Sequence, residues 1–336
     1  MVTAGLFLSG PSALAAPNSN RSAPRAPAGP AMIQVGAVSY TDARAWFARL
    51  GYRPQANDNA RALVLKGTAG GTLRFEADSR EATLHGLRIF LGEAAVMARG
   101  SIFVPTVDLE RFLTPIVRPS QFKAPPLRTI VIDAGHGGND TGTRNQARKL
   151  DEKDFTLDVA RRLEKLLGQD RWRVLMTRKD DRFVELPERA EFANRAKADL
   201  FVSIHFNAVA NNSGVRGTET YVLTPQFMRS TSSAKITTDD RTAQPGNKYD
   251  AWSAVLGYHM HRELLTELKT EDRGFKRARF AVLRLVDCPA VLVEAGYLSN
   301  DTEAQMIATA AYRARIAEAL YSAIVAYDAT RVAAGR

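Results

Sequence analysis

The sequence predicts an α/β fold, a sheet flanked by helices on both faces, preceded by a small α+β region. Near-continuous apolar runs at Leu127–Ala134, Arg173–Thr177, Leu200–His205 and Ala290–Ala295 read as strands buried on both sides. Helical patterns at Lys153–Leu167, Leu186–Lys197, Trp252–Lys269 and Thr302–Thr330 alternate with them, as expected where helices cover a sheet. Upstream, from Ile33 to Arg118, only short segments of strand length recur.

In chain order, Met1 to Ala16 carries no charged residue. It holds a short apolar core, Gly5-Leu6-Phe7-Leu8, and a small-x-small triplet, Ala13-Leu14-Ala15. This reads as the h- and c-regions of a secretory signal without its basic n-region. Residues 17–32, rich in Pro, Ala and Ser, read as a linker. In the region 33–118, Asp42–Leu50 is a short amphipathic helix. Ala62–Leu65, Thr72–Phe75, Ala82–Leu84 and Ser101–Pro105 are strands, and Val107–Leu113 closes as a helix. Residues 119–126 (PSQFKAPP) form a second linker, and 127–331 is the larger domain. There Phe155, Val159, Leu163 and Leu166 line one helix face, while Thr218–Leu223 and Phe280–Leu285 are further strands.

Composition narrows the function. The 336 residues are 45% hydrophobic and 24% charged, as in a globular chain rather than a disordered one. No run of about 18 apolar residues occurs, so no membrane span is expected. Cys288 is the single cysteine, which excludes an intramolecular disulfide and a cysteine-rich metal site. Any metal must therefore be held by carboxylates and by some of the five histidines. The net charge of +10 favours a polyanionic neighbour: nucleic acid, anionic lipid or a bacterial wall polymer. The excess is spread along the chain without a block of like charges, which argues against nucleic acid.

The chemistry-bearing residues stand at strand ends. Val131-Ile132-Asp133-Ala134-Gly135-His136-Gly137-Gly138 puts His136 in a glycine-lined turn. Ser203-Ile204-His205-Phe206-Asn207 and Val293-Glu294-Ala295-Gly296 put His205 and Glu294 at the ends of two more strands. Ligands of α/β sheets bind outside the carboxyl ends of strands, so these groups can converge. Glu152 opens the first strong helix, where an acid also favours the helix N-terminus. Two imidazoles and one carboxylate make a zinc site with an open position, and a further acid can carry the proton of an activated water. Spacing alone leaves open which of Glu152 and Glu294 is ligand and which is proton carrier. Neither the phosphate-loop nor the dinucleotide glycine pattern is present, nor a His-Glu-x-x-His helix.

The stretches Ile130–Gly142 (IVIDAGHGGNDTG), Glu152-Lys153, Ser203–Ala208 (SIHFNA) and Pro289–Asn300 (PAVLVEAGYLSN) resemble the zinc-dependent N-acetylmuramoyl-L-alanine amidases of type 3, over about Leu127 to Asp328. The resemblance implies a mixed, mostly parallel sheet of zinc-exopeptidase type and one Zn2+ per chain on His136, Glu152 and His205. It implies Glu294 as catalytic carboxylate. The implied reaction is hydrolysis of the amide between N-acetylmuramic acid and the L-alanine of the stem peptide, in the bacterial periplasm or envelope. The implied partner is peptidoglycan. A zinc peptidase acting on stem peptides and a non-catalytic wall-binding protein are the rival readings.

Asn207 and Arg284 are candidate substrate contacts, with Arg144 and Arg279 as further cations for stem-peptide carboxylates. His259 and His261 lie two apart on a helix and face different ways, so they form no metal pair. Segments Glu81–Leu91 and Gly100–Leu113 resemble the N-terminal domain first described in copper amine oxidases, which implies no copper chemistry here. Residues 33–118 are expected to position the enzyme rather than to catalyse. Some members of the amidase family carry a long helical insertion that plugs the zinc site. Here Thr224–Asp250 is polar and lacks a strong amphipathic helix, so no such plug is expected and a protein activator is left open.

Overall fold

Strand parity builds two apolar layers. In Thr129–Ala134 every residue is buried, with Ile130 and Ile132 in one core and Val131 in the other. Leu200–Asn207 and Ala290–Tyr297 divide the same way: Val202, Ile204, Val291 and Val293 face one side, Phe201 and Leu292 the other. This follows from the two-residue period of a pleated strand. Helices Glu152–Leu167, Asp250–Leu268 and Ala310–Ala334 cover the first face through Phe155, Val159, Met260, Leu264, Ile316 and Leu320. Leu186–Arg195 and Ala281–Leu285 cover the second through Ala190, Ala193, Val282 and Leu283. These relations come from a computed structural model that describes residues 1, 29–56, 59–68, 70–210 and 212–336. The expected secretory segment and most of the expected linker after it lie outside the described residues.

The sheet is mixed and mostly parallel in the region from Leu127. Arg173–Met176, Thr129–Ala134, Leu200–Asn207 and Ala290–Tyr297 run parallel. Thr218–Leu223 joins Ala290–Tyr297 antiparallel and Asp272–Ala278 parallel. The sheet then continues into the N-terminal region. Phe275 pairs with Ile89, and Leu87–Phe90, Glu81–Leu84, Thr72–Glu76, Ala62–Gly67 and Tyr52–Gln55 follow as an antiparallel meander. Eleven strands share this sheet among the described residues. A second sheet holds Met32–Val35, Val38–Asp42, Ser101–Pro105 and Val96–Ala98. Among the described residues no helix is long and apolar enough to cross a membrane.

Several elements differ from expectation. Phe280–Leu285 contains a helix, Ala281–Leu285, and the strand lies upstream at Asp272–Ala278. A short apolar run cannot by itself separate strand from helix. The true strand is hidden by its charges, Arg273, Lys276 and Arg277. The helix expected over Thr302–Thr330 is two helices, Asp301–Ala308 and Ala310–Ala334. Thr309 breaks it, its extended backbone capping the second helix as its hydroxyl accepts from the Tyr312 amide at 3.3 Å. Met32, at the end of the expected linker, already belongs to a strand. Phe122 and Ala124, in the expected second linker, pack on the main core, and Trp252 Nε1 donates to the Lys123 carbonyl at 2.8 Å. Thr224–Tyr249 holds only short 3-10 turns, at Asp239–Arg241 and Pro245–Tyr249.

Several polar groups buried in this packing are paired with one another. Arg277 pairs with Asp108 at 2.6 Å where the N-terminal region meets the larger sheet, both side chains at most 1% exposed. His261 bridges Thr220 and Asp272 at 3.0 and 2.9 Å, while His259 contacts Thr330 at 3.0 Å on the neighbouring helix. Burial, aided by Arg262, pushes the His259 pKa down to about 3.

Two outcomes follow from these pairs. Asp108→Ala leaves a buried guanidinium unpaired and should lower the unfolding free energy by about 3–5 kcal/mol; a loss below about 1 kcal/mol in urea titrations would show that the pair contributes little. His259 stays neutral in the fold but takes a proton in the unfolded chain below its ordinary value near 6.5. Its contribution is therefore intact above that pH and is lost as pH falls toward 3, by at most about 1.4 kcal/mol per pH unit. His259→Gln should reduce the stability lost between about pH 7 and pH 5, and equal losses in both proteins would contradict this.

Candidate functional site

His136 leaves the strand Thr129–Ala134 into a turn and adopts φ 62°, a left-handed conformation uncommon for a residue with a side chain. Close approach explains two glycines beside it. A Cβ on Gly135 would lie 2.3 Å from His205 Cε1, so only glycine lets the two imidazoles meet with ring centroids 5.0 Å apart. Gly142 has φ 64°, and a Cβ there would lie 2.6 Å from both Glu152 Oε2 and His136 Cδ2.

Glu152 is the first residue of helix Glu152–Leu167, and its side chain is 3% exposed. Its Oε1 lies 3.1 Å from His136 Nε2 and 3.1 Å from His205 Nδ1. The same oxygen accepts the Phe206 amide at 2.9 Å, and Oε2 accepts the Thr143 amide at 2.8 Å. Ligand atoms of His136, Glu152 and His205 all lie within 4.8 Å of one another, so the three could hold a metal ion. Asp140 takes the far nitrogen of His136, Nδ1, at 2.8 Å. A carboxylate on the far nitrogen is the arrangement that orients a metal-binding imidazole.

The electrostatics also favour a cation. Burial opposes the charge on Glu152, yet hydrogen bonds with His136 and His205 outweigh it and hold the carboxyl well below the usual range. Burial likewise opposes a charged His136, but Glu152 and Asp140 raise its proton affinity.

Glu294 lies on Ala290–Tyr297 in register with His205 on one neighbouring strand and Glu219 on the other. Burial first, then the Glu152 and Glu219 carboxylates, push its pKa well above the carboxylate range. Its Oε2 is buried and has no hydrogen-bond partner among the described residues. Such an oxygen is costly unless something else uses it. Glu294 lines the same cavity as His136, Glu152 and His205, a space of about 510 Å³. Apolar side chains also line it: Phe183, Val184, Leu186, Phe280 and Val282. Phe183, Leu186 and Phe280 expose large hydrophobic surface there.

The remaining expected residues are placed differently from one another. Asn207 lines the cavity, but its Nδ2 donates to Glu219 at 3.1 Å and to Tyr297 at 3.3 Å. Arg284 is not among the cavity-lining residues and stands 3.6 Å from Asp239. Arg279 is buried against Asp240 at 2.8 Å, and Arg144 pairs with Asp151 at 2.9 Å on the surface. Sequence reasoning passed over Asp140, four residues beyond His136 in the same motif. It also passed over Arg178 and Arg189, whose guanidiniums are buried beneath the His136 turn. An arginine at a strand end and one on an otherwise apolar helix face were the available signals.

A family model described as N-acetylmuramoyl-L-alanine amidase matches residues 130–326. The N-acetylmuramoyl-L-alanine amidase LytC of Bacillus subtilis is 34% identical over 209 residues, covering 62% of this chain and 37% of LytC. The probable N-acetylmuramoyl-L-alanine amidase AmiB of Haemophilus influenzae is 32% identical over 224 residues, covering 59% of this chain and 52% of AmiB. The chain thus spans only about a third to a half of the length of these relatives. Among solved structures, the catalytic domain of CwlV from Bacillus (Paenibacillus) polymyxa var. colistinus superposes with a TM-score of 0.51 at 34% identity. It covers 61% of this chain and 99% of that one. AmiC2 of Nostoc punctiforme gives 0.51 at 32% identity, covering 60% and 97%. A match over more than half of its length, on the residues that build this cavity, makes the chain a member of the N-acetylmuramoyl-L-alanine amidase family.

Proposed function

We propose that the chain is a zinc-dependent peptidoglycan hydrolase. It cleaves the amide between the lactyl group of N-acetylmuramic acid and the L-alanine of the stem peptide, outside the cytoplasm. The observation that carries this reading is the unpartnered oxygen of Glu294 in one cavity with the His136, Glu152 and His205 trio. Two imidazole nitrogens and a carboxylate oxygen suit zinc with an open position. When bound, zinc supplies polarisation of the amide carbonyl and activation of water at neutral pH.

The chain's own groups do the rest. Glu294 moves a proton from the attacking water to the departing alanine nitrogen, so the C–N bond breaks as the new C–O bond forms. The high proton affinity of its carboxyl suits that transfer. The apolar lining of Phe183, Leu186, Phe280 and Val282 suits the lactyl and alanyl methyl groups of such a substrate. None of the described residues of 33–118 lines the cavity, which agrees with a positioning rather than a catalytic part.

Mass spectrometry of purified wall after digestion tests the reading. Free stem peptides beginning with L-alanine, with intact glycan strands, are expected. Cleavage between stem-peptide residues would identify a peptidase instead. His136→Ala and His205→Ala should each lose zinc and activity together; full zinc content in both would refute the ligand assignment. Glu294→Gln should keep its zinc and lose about 10² to 10⁴ in rate. A loss of less than about tenfold would make Glu294 peripheral to the reaction.

A further inference from the structure

The geometry points to Arg178 and Arg189 as positioning residues of the metal centre: together they hold the His136 turn in its left-handed conformation before any ion arrives. Arg178 lies just beyond the strand Arg173–Met176 and is fully buried. Its Nε donates to the Ala134 carbonyl at 3.0 Å. Its Nη2 donates to the carbonyls of Gly135 at 2.9 Å and Lys153 at 2.8 Å, and Nη1 to that of Asp180 at 3.0 Å. Arg189, on the helix Leu186–Arg195, is 2% exposed. Its Nη1 donates to Asp133 at 2.8 Å and to the Ala134 carbonyl at 2.7 Å. Its Nη2 donates to the His136 carbonyl at 2.8 Å, and Nε to that of Val184 at 2.9 Å. The carbonyls of Ala134, Gly135 and His136 are thus each fixed by a guanidinium, and Ala134 by both.

Burying a guanidinium is costly, and an apolar side chain of similar volume would fill the space without that cost. Asp133 balances Arg189, whereas the hydrogen bonds of Arg178 run to backbone carbonyls and to the Thr156 hydroxyl, 3.1 Å away. What Arg178 gains is therefore the backbone it grips. That backbone holds His136 at φ 62°, a sparsely populated conformation that persists only where its surroundings over-determine it. The planar five-donor fork reaches several carbonyls at once, which a lysine ammonium cannot do. The clamp grips the backbone carbonyls of Ala134, Gly135 and His136 and leaves the imidazole nitrogens to Glu152 and Asp140, so it sets the turn without using the groups that would meet the ion.

This rests on reading His136, Glu152 and His205 as a metal centre, and the test separates the two. Metal-free full-length protein is titrated with Zn2+ and with Co2+, whose visible absorption reports ligand geometry. Arg178→Lys and Arg189→Lys should each bind at least about tenfold more weakly, with an altered Co2+ spectrum. Arg277→Lys, equally buried but remote from the site, should lose thermal stability while its affinity stays within about twofold. Unchanged affinity in both folded clamp variants would overturn the proposal. Wild-type protein that binds neither ion would overturn the metal reading itself. Hydrogen exchange on metal-free wild type covers the case in which the variants do not fold. The Gly137 and Asp140 amides, paired with each other's carbonyls at 2.9 and 3.1 Å, should be protected without metal. Exchange at the rate of an unstructured chain until metal is added would show that the ion builds the turn, and the clamp idea would fall.

Discussion

One buried carboxylate ties three parts of the chain together. Glu152 accepts backbone amides from Thr143, in the loop after the His136 turn, and from Phe206, at the end of a central strand, while touching both imidazoles. Its own position is set by packing, because the helix it opens buries Phe155, Val159 and Leu163 in the larger core. One turn further along, Thr156 donates to the Gly135 carbonyl at 2.8 Å. The helix start and the glycine-lined turn are therefore joined on both sides of the candidate ligands. Displacing the helix would move a ligand, and removing the ligand would leave backbone amides without their acceptor.

A second constraint comes from the reversal of strand direction at Thr218–Leu223 in the main sheet. Because Thr218–Leu223 runs antiparallel to Ala290–Tyr297, Glu219 sits opposite Glu294. Burial disfavours charge on Glu219, but Lys276 and the hydroxyls of Tyr221 and Tyr297 outweigh burial and hold its carboxyl below the usual range. Glu294 has no such partners on its free oxygen and moves the other way. Neighbouring carboxyls whose proton affinities are driven apart by their surroundings are the recurring arrangement behind acid–base work at neutral pH. Asn207 belongs to this network too, since its amide nitrogen links Glu219 to the cavity wall.

Much of this was legible in the sequence, because the candidate ligands His136, Glu152 and His205 and the neighbouring Glu294 stand where apolar strands or a strong helix begin or end. Strand parity then decides which face they occupy. Asp133, His205 and Glu294 share the parity of Val131, Phe201 and Leu292, whose core lies on the Leu186–Arg195 side. What stayed hidden was buried charge. Asp272–Ala278 was masked as a strand because Arg277 looks like a surface residue until Asp108 is placed beside it from 169 positions away. Arg178 and Arg189 were masked for the same reason, their partners being chiefly backbone carbonyls that no sequence pattern marks and, for Arg189, Asp133 on a distant strand. Arg284 was misleading in the opposite sense. It is a cation close in sequence to the apolar wall, yet it faces Asp239 instead of the cavity.

The N-terminal region gains a physical meaning from the same buried charge. Without Leu87–Phe90, the strand Asp272–Ala278 would be an open edge of the sheet, with unpaired amides and carbonyls. Without the whole N-terminal region Arg277 would also lack both Asp108 and the Phe90 carbonyl that its second nitrogen contacts. The contact continues beyond the edge. Arg80 donates to the carbonyls of Ser230 and Thr231, and Arg229 pairs with Glu93 at 2.8 Å. That segment runs on to Asp240, which receives Arg279, the residue before Phe280 of the apolar wall. Hydrogen bonds and the chain between them thus connect residues 33–118 to one side of the cavity, although none of the described residues of 33–118 lines it. The packing of this region is that of a part seated on the larger sheet, with Phe122 and Ala124 of the segment between them also packed on the main core.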